Sequence, residues 1–74
     1  MRVEGFRFFF FSNEGSEPPH IHVERGDGYA KYWLDPLAVE SSYGLSAAEL
    51  RRCRELVFQH RRKFLERWHE HFGA

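Results

Sequence analysis

His20-Ile21-His22-Val23-Glu24-Arg25-Gly26-Asp27-Gly28-Tyr29-Ala30-Lys31-Tyr32-Trp33-Leu34 decides the fold. Rings and β-branched side chains alternate with polar ones on either side of Gly26-Asp27-Gly28, so the stretch reads as two antiparallel strands, about 20–25 and 29–34, joined by a glycine-containing hairpin connection. Upstream, Pro18-Pro19 holds the chain extended. Further upstream, Phe6-Arg7-Phe8-Phe9-Phe10-Phe11-Ser12 has the aromatic composition of a first strand, stopped by Asn13-Glu14-Gly15-Ser16. Downstream, Asp35-Pro36 closes the third strand, and residues 35–45 read as a connecting loop.

The helix start is the sharpest local signal. Ser46-Ala47-Ala48-Glu49 has capping-box spacing, with Leu45 and Leu50 placed as a hydrophobic staple, and Gly73 supplies the stop. The spacing predicts a helix over about 47–72 with Leu50, Cys53, Val57, Phe64, Trp68 and Phe72 on one apolar stripe. Arg54 and Arg61 interrupt that stripe, with stems packed and heads reaching out at its edge. The fold expected is α+β: a three-stranded antiparallel meander on one long C-terminal helix, in a single domain over 1–74.

Seventy-four residues bury only about 60% of the surface their unfolded chain exposes, so large side chains must supply the core; eight Phe, three Tyr and two Trp do so. Cys53 is the only cysteine, which rules out an internal disulfide and a paired-cysteine zinc motif; a reducing cytoplasm fits. No segment has the apolar length of a membrane span or the pattern of a secretion signal. Eleven basic and eleven acidic residues balance, which argues against a partner held by bulk charge such as nucleic acid. The charges are uneven, however: residues 1–45 carry seven acidic and four basic side chains and residues 46–74 four acidic and seven basic.

Parity along the strands sorts the sheet into two faces. Phe6, Phe8, Phe10, Ile21, Val23, Ala30, Tyr32 and Leu34 form the apolar face that should receive the helix. The opposite face carries Arg7, Phe9, Phe11, His20, His22, Glu24, Tyr29, Lys31 and Trp33, a mixture of rings and charges typical of interaction surfaces. His20 and His22 point the same way and can reach one common group. With Arg7 or Lys31 they are the candidate catalytic set, able to take a proton from a ribose 2′-hydroxyl, return one to the leaving oxygen and stabilise the phosphorane, while Phe9, Phe11 or Trp33 stacks a base. Phe9, Phe11, Glu24, Tyr29 and Trp33 are equally candidate binding residues. A metal would need a third ligand from Glu14, Glu17, Glu24 or Asp35, none at diagnostic spacing, so no metal or other cofactor is expected. His60, His69 and His71 fall on the helix, the last two near its C-terminal carbonyls. Cys53 reads as a small core residue.

Phe8-Phe9-Phe10-Phe11-Ser12-Asn13-Glu14, Glu17-Pro18-Pro19-His20-Ile21-His22-Val23-Glu24, Tyr32-Trp33-Leu34-Asp35-Pro36 and the helix from Leu50 to Phe72 together resemble the small bacterial DUF4160 family. By motif position the resemblance makes Glu14, Pro18, Pro19, His20, His22, Trp33, Asp35 and Pro36 signature residues, adding Glu14 and Asp35 to the candidate binding set. It implies a bacterial cytoplasmic protein and a two-gene module of toxin–antitoxin type. The expected activity is that of an RNA-cleaving or translation-interfering toxin using His20 and His22; the alternatives are an antitoxin or adaptor that only docks a protein, or a metal-binding protein. RNA is thus a possible partner, beside a neighbouring gene's product. A helix of 26 residues is roughly 39 Å long and strands of six only about 20 Å. Trp68 and Phe72 on the overhang should therefore need the 35–45 loop or another chain, and a homodimer is expected.

Overall fold

The computed structural model describes residues 1–73. Five strands, β1 (Arg2–Val3), β2 (Phe6–Phe9), β3 (His20–Arg25), β4 (Gly28–Leu34) and β5 (Leu37–Tyr43), form one antiparallel sheet in the order β1-β2-β3-β4-β5, followed by α1 (Ala47–Phe72). The fold is the expected α+β meander with a C-terminal helix, but with five strands rather than three. The expected 35–45 loop is the first correction. Asp35-Pro36 is the two-residue turn of a second hairpin, its peptide bond cis, and residues 37–43 pair with β4 from Leu34↔Leu37 to Tyr29↔Tyr43. Sequence patterning missed β5 because an edge strand exposed on both faces has no apolar alternation to display. Its register also shifts between Lys31 and Tyr32, leaving Glu40 unpaired between Val39 and Ser41.

The first strand is shorter than its aromatic run. β2 stops at Phe9, and residues 10–19 leave the sheet as a long loop. The β3–β4 turn is also tighter than expected, Gly26-Asp27 alone. Gly26 takes a φ of +58°, and Gly28 already lies in β4, where a Cβ would come within 2.7 Å of the Gly44 carbonyl oxygen.

The parity assignment holds for the helix-facing side. Phe6, Phe8, Ile21, Val23, Ala30, Tyr32 and Leu34 are buried together with Cys53, Val57 and Phe64 of α1. Leu56 joins them although the predicted stripe omits it, while Leu50 is only half-buried. Ser46 caps α1 as expected: the Glu49 N–H donates to its Oγ at 3.0 Å, and its own N–H donates to Glu49 Oε1 at 2.8 Å.

The overhanging end of α1 is covered differently from the expectation, and this second correction positions the site. Loop 10–19, not the 35–45 segment, folds over it. Phe10 packs edge-on against Trp68 with ring centroids 5.4 Å apart, Phe72 lies 4.3 Å from Trp68, and a Cβ on Gly15 would stand 2.6 Å from the Phe72 ring. Trp68 is thereby buried within this chain. No helix among the described residues is long and apolar enough to cross a membrane.

Candidate functional site

Loop 10–19 brings Glu14 back over the start of β3. Its carboxylate accepts the Phe11 N–H at 2.9 Å, and its carbonyl accepts the Glu17 N–H at 3.1 Å, so a short turn aims the side chain inward. Pro18-Pro19 then hands the chain to β3, with the Leu34 N–H donating to the Pro19 carbonyl at 3.0 Å. His20 and His22 follow on the same side of the strand, as their spacing requires.

Three ligand-bearing side chains converge there. His20 Nε2 lies 3.0 Å from Glu14 Oε1, while His22 Nε2 lies 2.9 and 3.0 Å from Glu14 Oε1 and Oε2. The far ring nitrogens are occupied: His20 Nδ1 is 3.0 Å from the Pro18 carbonyl and His22 Nδ1 is 2.7 Å from Tyr29 Oη. A carbonyl only accepts, so His20 Nδ1 carries a proton. Aromatic rings seal the cluster. His20 sits 4.7 Å from the Trp68 ring and 5.7 Å from Trp33, and His22 stacks on Phe9 at 5.4 Å with Phe11 5.0 Å away. His20 is 0% and His22 5% exposed. Burial alone would raise the Glu14 carboxyl, but the Phe11 N–H and the two imidazoles outweigh it and hold the group below the usual carboxylate range.

The remaining sequence candidates divide. Arg7 pairs with Glu24 at 3.0 Å and lies 4.2 Å over Phe9, and Lys31 pairs with Glu17 at 2.8 Å and lies 4.7 Å over Trp33. Both cations are thus neutralised locally at the margins of the outer face. Asp35 is turned instead toward α1, where it accepts from Arg61 Nη2 at 2.9 Å while Arg61 Nε bonds the Leu34 carbonyl. Phe11 remains largely exposed, and Phe9, Tyr29 and Trp33 are half-buried. Patterning did not anticipate Trp68 as a wall of the cluster or the Pro18 carbonyl as the group that sets the His20 tautomer, because neither contact has a local sequence signal.

Residues 5–69 match the sequence profile of the domain of unknown function DUF4160. The chain belongs to that family. No curated protein and no solved structure matched it. Glu14, Pro18, His20 and His22, signature residues by the resemblance, are brought together in the cluster, whereas Asp35-Pro36 forms the β4–β5 turn.

A second feature opens to solvent on the other side of the molecule. Between β5 and the first turns of α1 runs an apolar groove of about 340 Å³, lined by Tyr32, Val39, Ser42, Ala47, Leu50, Arg51 and Arg54. Val39 is 52% exposed in it, and Phe58, one helical turn beyond Arg54, is 70% exposed. Among the described residues Arg51 and Arg54, like Arg2 and Arg67, form no ion pair, while Arg7, Arg25, Arg52, Arg61 and Arg62 each do.

Proposed function

We propose that this protein is a non-enzymatic docking module, the adaptor or antitoxin half of a two-gene pair of toxin–antitoxin type, which receives an acidic, partly apolar segment of its protein partner in the groove between β5 and α1. The observation that carries this reading is the pairing of open apolar surface, Val39 and Phe58, with two arginines that have no carboxylate of their own. An acidic segment would supply the missing counter-charges while its apolar side chains fill the groove, the arrangement of a buried centre with a charged rim. The segment from residue 46 onward carries the excess of basic residues, which favours the same partner chemistry.

The histidine cluster supports docking over RNA cleavage. A ribose-directed acid–base pair needs both imidazoles within reach of substrate, one free to accept a proton and one to give it. Here both rings are shut behind Trp68, Phe9, Phe11 and Glu14, and both Nε2 atoms face the same carboxylate.

The product of the neighbouring gene is the partner to use. Reversing both groove charges, Arg51→Glu with Arg54→Glu, should weaken the complex by about 100-fold or more, as for charge reversal at a complementary interface. Arg62→Glu, on an exposed stretch of the same helix, should leave it within about threefold. Calorimetric titration of the three proteins measures this. Unchanged affinity in the double variant, or RNA cleavage lost on His22→Ala, would overturn the docking reading.

A further inference from the structure

We propose that Glu14, His20 and His22 form a binding site for one divalent transition-metal ion of the Zn²⁺ class, and that the ion clamps loop 10–19 to the sheet. The site lies away from the proposed docking groove, so either reading can fail without the other. Its ligand atoms, one carboxylate oxygen and two imidazole Nε2 atoms, all lie within 4.8 Å of one another. Two imidazoles and a carboxylate suit zinc and its neighbours, and three protein ligands leave a fourth position for water.

A group of this composition needs a second observation to mark it as a site, and His20 provides one. Its Nε2 is completely buried and has no hydrogen-bond partner: although Glu14 Oε1 is 3.0 Å away, the pair is not aligned for a bond. Its Nδ1–H is already committed to the Pro18 carbonyl, so Nε2 is the ring nitrogen left over for a ligand. A buried polar atom left unpartnered is costly and rare. A cation at the point shared by the two Nε2 atoms and Glu14 would be the partner His20 Nε2 lacks.

The surrounding shell has the form that metal-bound histidines require. The other nitrogen of each ring faces an oxygen, His20 Nδ1 the Pro18 carbonyl and His22 Nδ1 Tyr29 Oη, the outer contacts that orient metal-bound histidines. His22 Nε2 now donates to Glu14; on binding an ion it would give up that proton, and Tyr29 Oη, which can accept as well as donate, would then take the Nδ1–H. The two nitrogen-to-carboxylate distances are close to what an ion needs. Ligand atoms about 2.0–2.1 Å from a tetrahedral ion stand roughly 3.3–3.4 Å apart, so the present separations of 2.9 and 3.0 Å need open only by a few tenths of an ångström. Glu14 sits on a loop with few backbone bonds, where that movement is easy. In a chain of this size a metal clamp also compensates for a small core.

The test is a Zn²⁺ titration of untagged, chelator-treated protein by calorimetry at neutral pH, with Co²⁺ absorption as a second readout. One equivalent should bind, and Glu14→Gln and His22→Ala should each weaken binding by about 100-fold or more. Tyr29→Phe should weaken it by about tenfold through loss of ring orientation. His69→Ala, on the exposed end of α1, should change nothing. Because a cluster variant could unfold, the wild type is followed independently by nitrogen NMR of the imidazoles, where Zn²⁺ should shift His20 Nε2 and His22 Nε2 and slow amide exchange in residues 10–19. Absence of binding, unmoved Nε2 resonances, or affinity that survives Glu14→Gln and His22→Ala would each overturn the site.

Discussion

Trp68→Ala is expected to leave the protein largely unfolded near body temperature. Trp68 is the keystone between α1 and loop 10–19, with Phe10, Phe72 and His20 all packed on its rings. Truncating a buried tryptophan to alanine costs about 3–5 kcal/mol, because the hydrophobic transfer term is lost and a cavity remains. A domain of this length holds roughly 4–11 kcal/mol in all, so the loss takes about a quarter of the stability at least and can take all of it. A melting temperature lower by about 12 °C or more should follow, with Trp68→Phe recovering part of it. A loss below about 1 kcal/mol in urea denaturation would mean that loop 10–19 does not seat on the helix end.

The second large effect is alkaline. Burial pushes the Cys53 thiol from 9.0 up to about 11, and burial, followed by the neighbouring Cys53, pushes the Tyr32 phenol from 10.0 up to about 12. In both cases the folded value lies above the unfolded one, so the uncharged form is the one the fold favours. Their contribution is complete below pH 9 and is lost as pH rises, first through about 11 for Cys53 and then through about 12 for Tyr32. Two units for the thiol alone correspond to about 2–3 kcal/mol lost by pH 11. Urea denaturation at pH 8 and pH 10.5 measures the slope, and Cys53→Ala should lose distinctly less stability between them than the parent. Equal slopes in the two proteins would contradict the buried, protonated thiol.

Much of the architecture was legible because it rests on short-range patterns. The Ser46–Glu49 box gave the start of α1, and strand parity gave the buried face from Phe6 to Leu34. What escaped reading depends on tertiary neighbours. β5 shows no alternation because neither of its faces is fully covered, and the fate of the Trp68–Phe72 overhang depended on a loop about 50 residues away in sequence whose path no local signal specifies. The histidine cluster was half visible. Period two placed His20 beside His22, and the family motif marked Glu14, but only the fold of residues 10–19 makes that carboxylate the group both rings face. Arg7 and Lys31 share the outer face as parity requires, yet each is drawn aside by its own carboxylate, Glu24 or Glu17, a pairing that depends on register and loop path.

The same contrast bears on association. One of the two apolar excesses that argued for a second chain, the helix end, is covered internally by Phe10 and the Gly15 segment. What stays open is Phe11 and Tyr43 on the outer face and, across the molecule, Val39 and Phe58 about the groove. The latter pair adjoins two arginines that form no ion pair, Arg51 and Arg54. Backbone amide NMR of the labelled protein, titrated with the product of the neighbouring gene, tests the docking account most directly. The account predicts shifts and slowed exchange confined to residues 37–43 and 47–58; shifts centred on Phe9, Phe11, His20 and His22, or none at saturating partner, would contradict it.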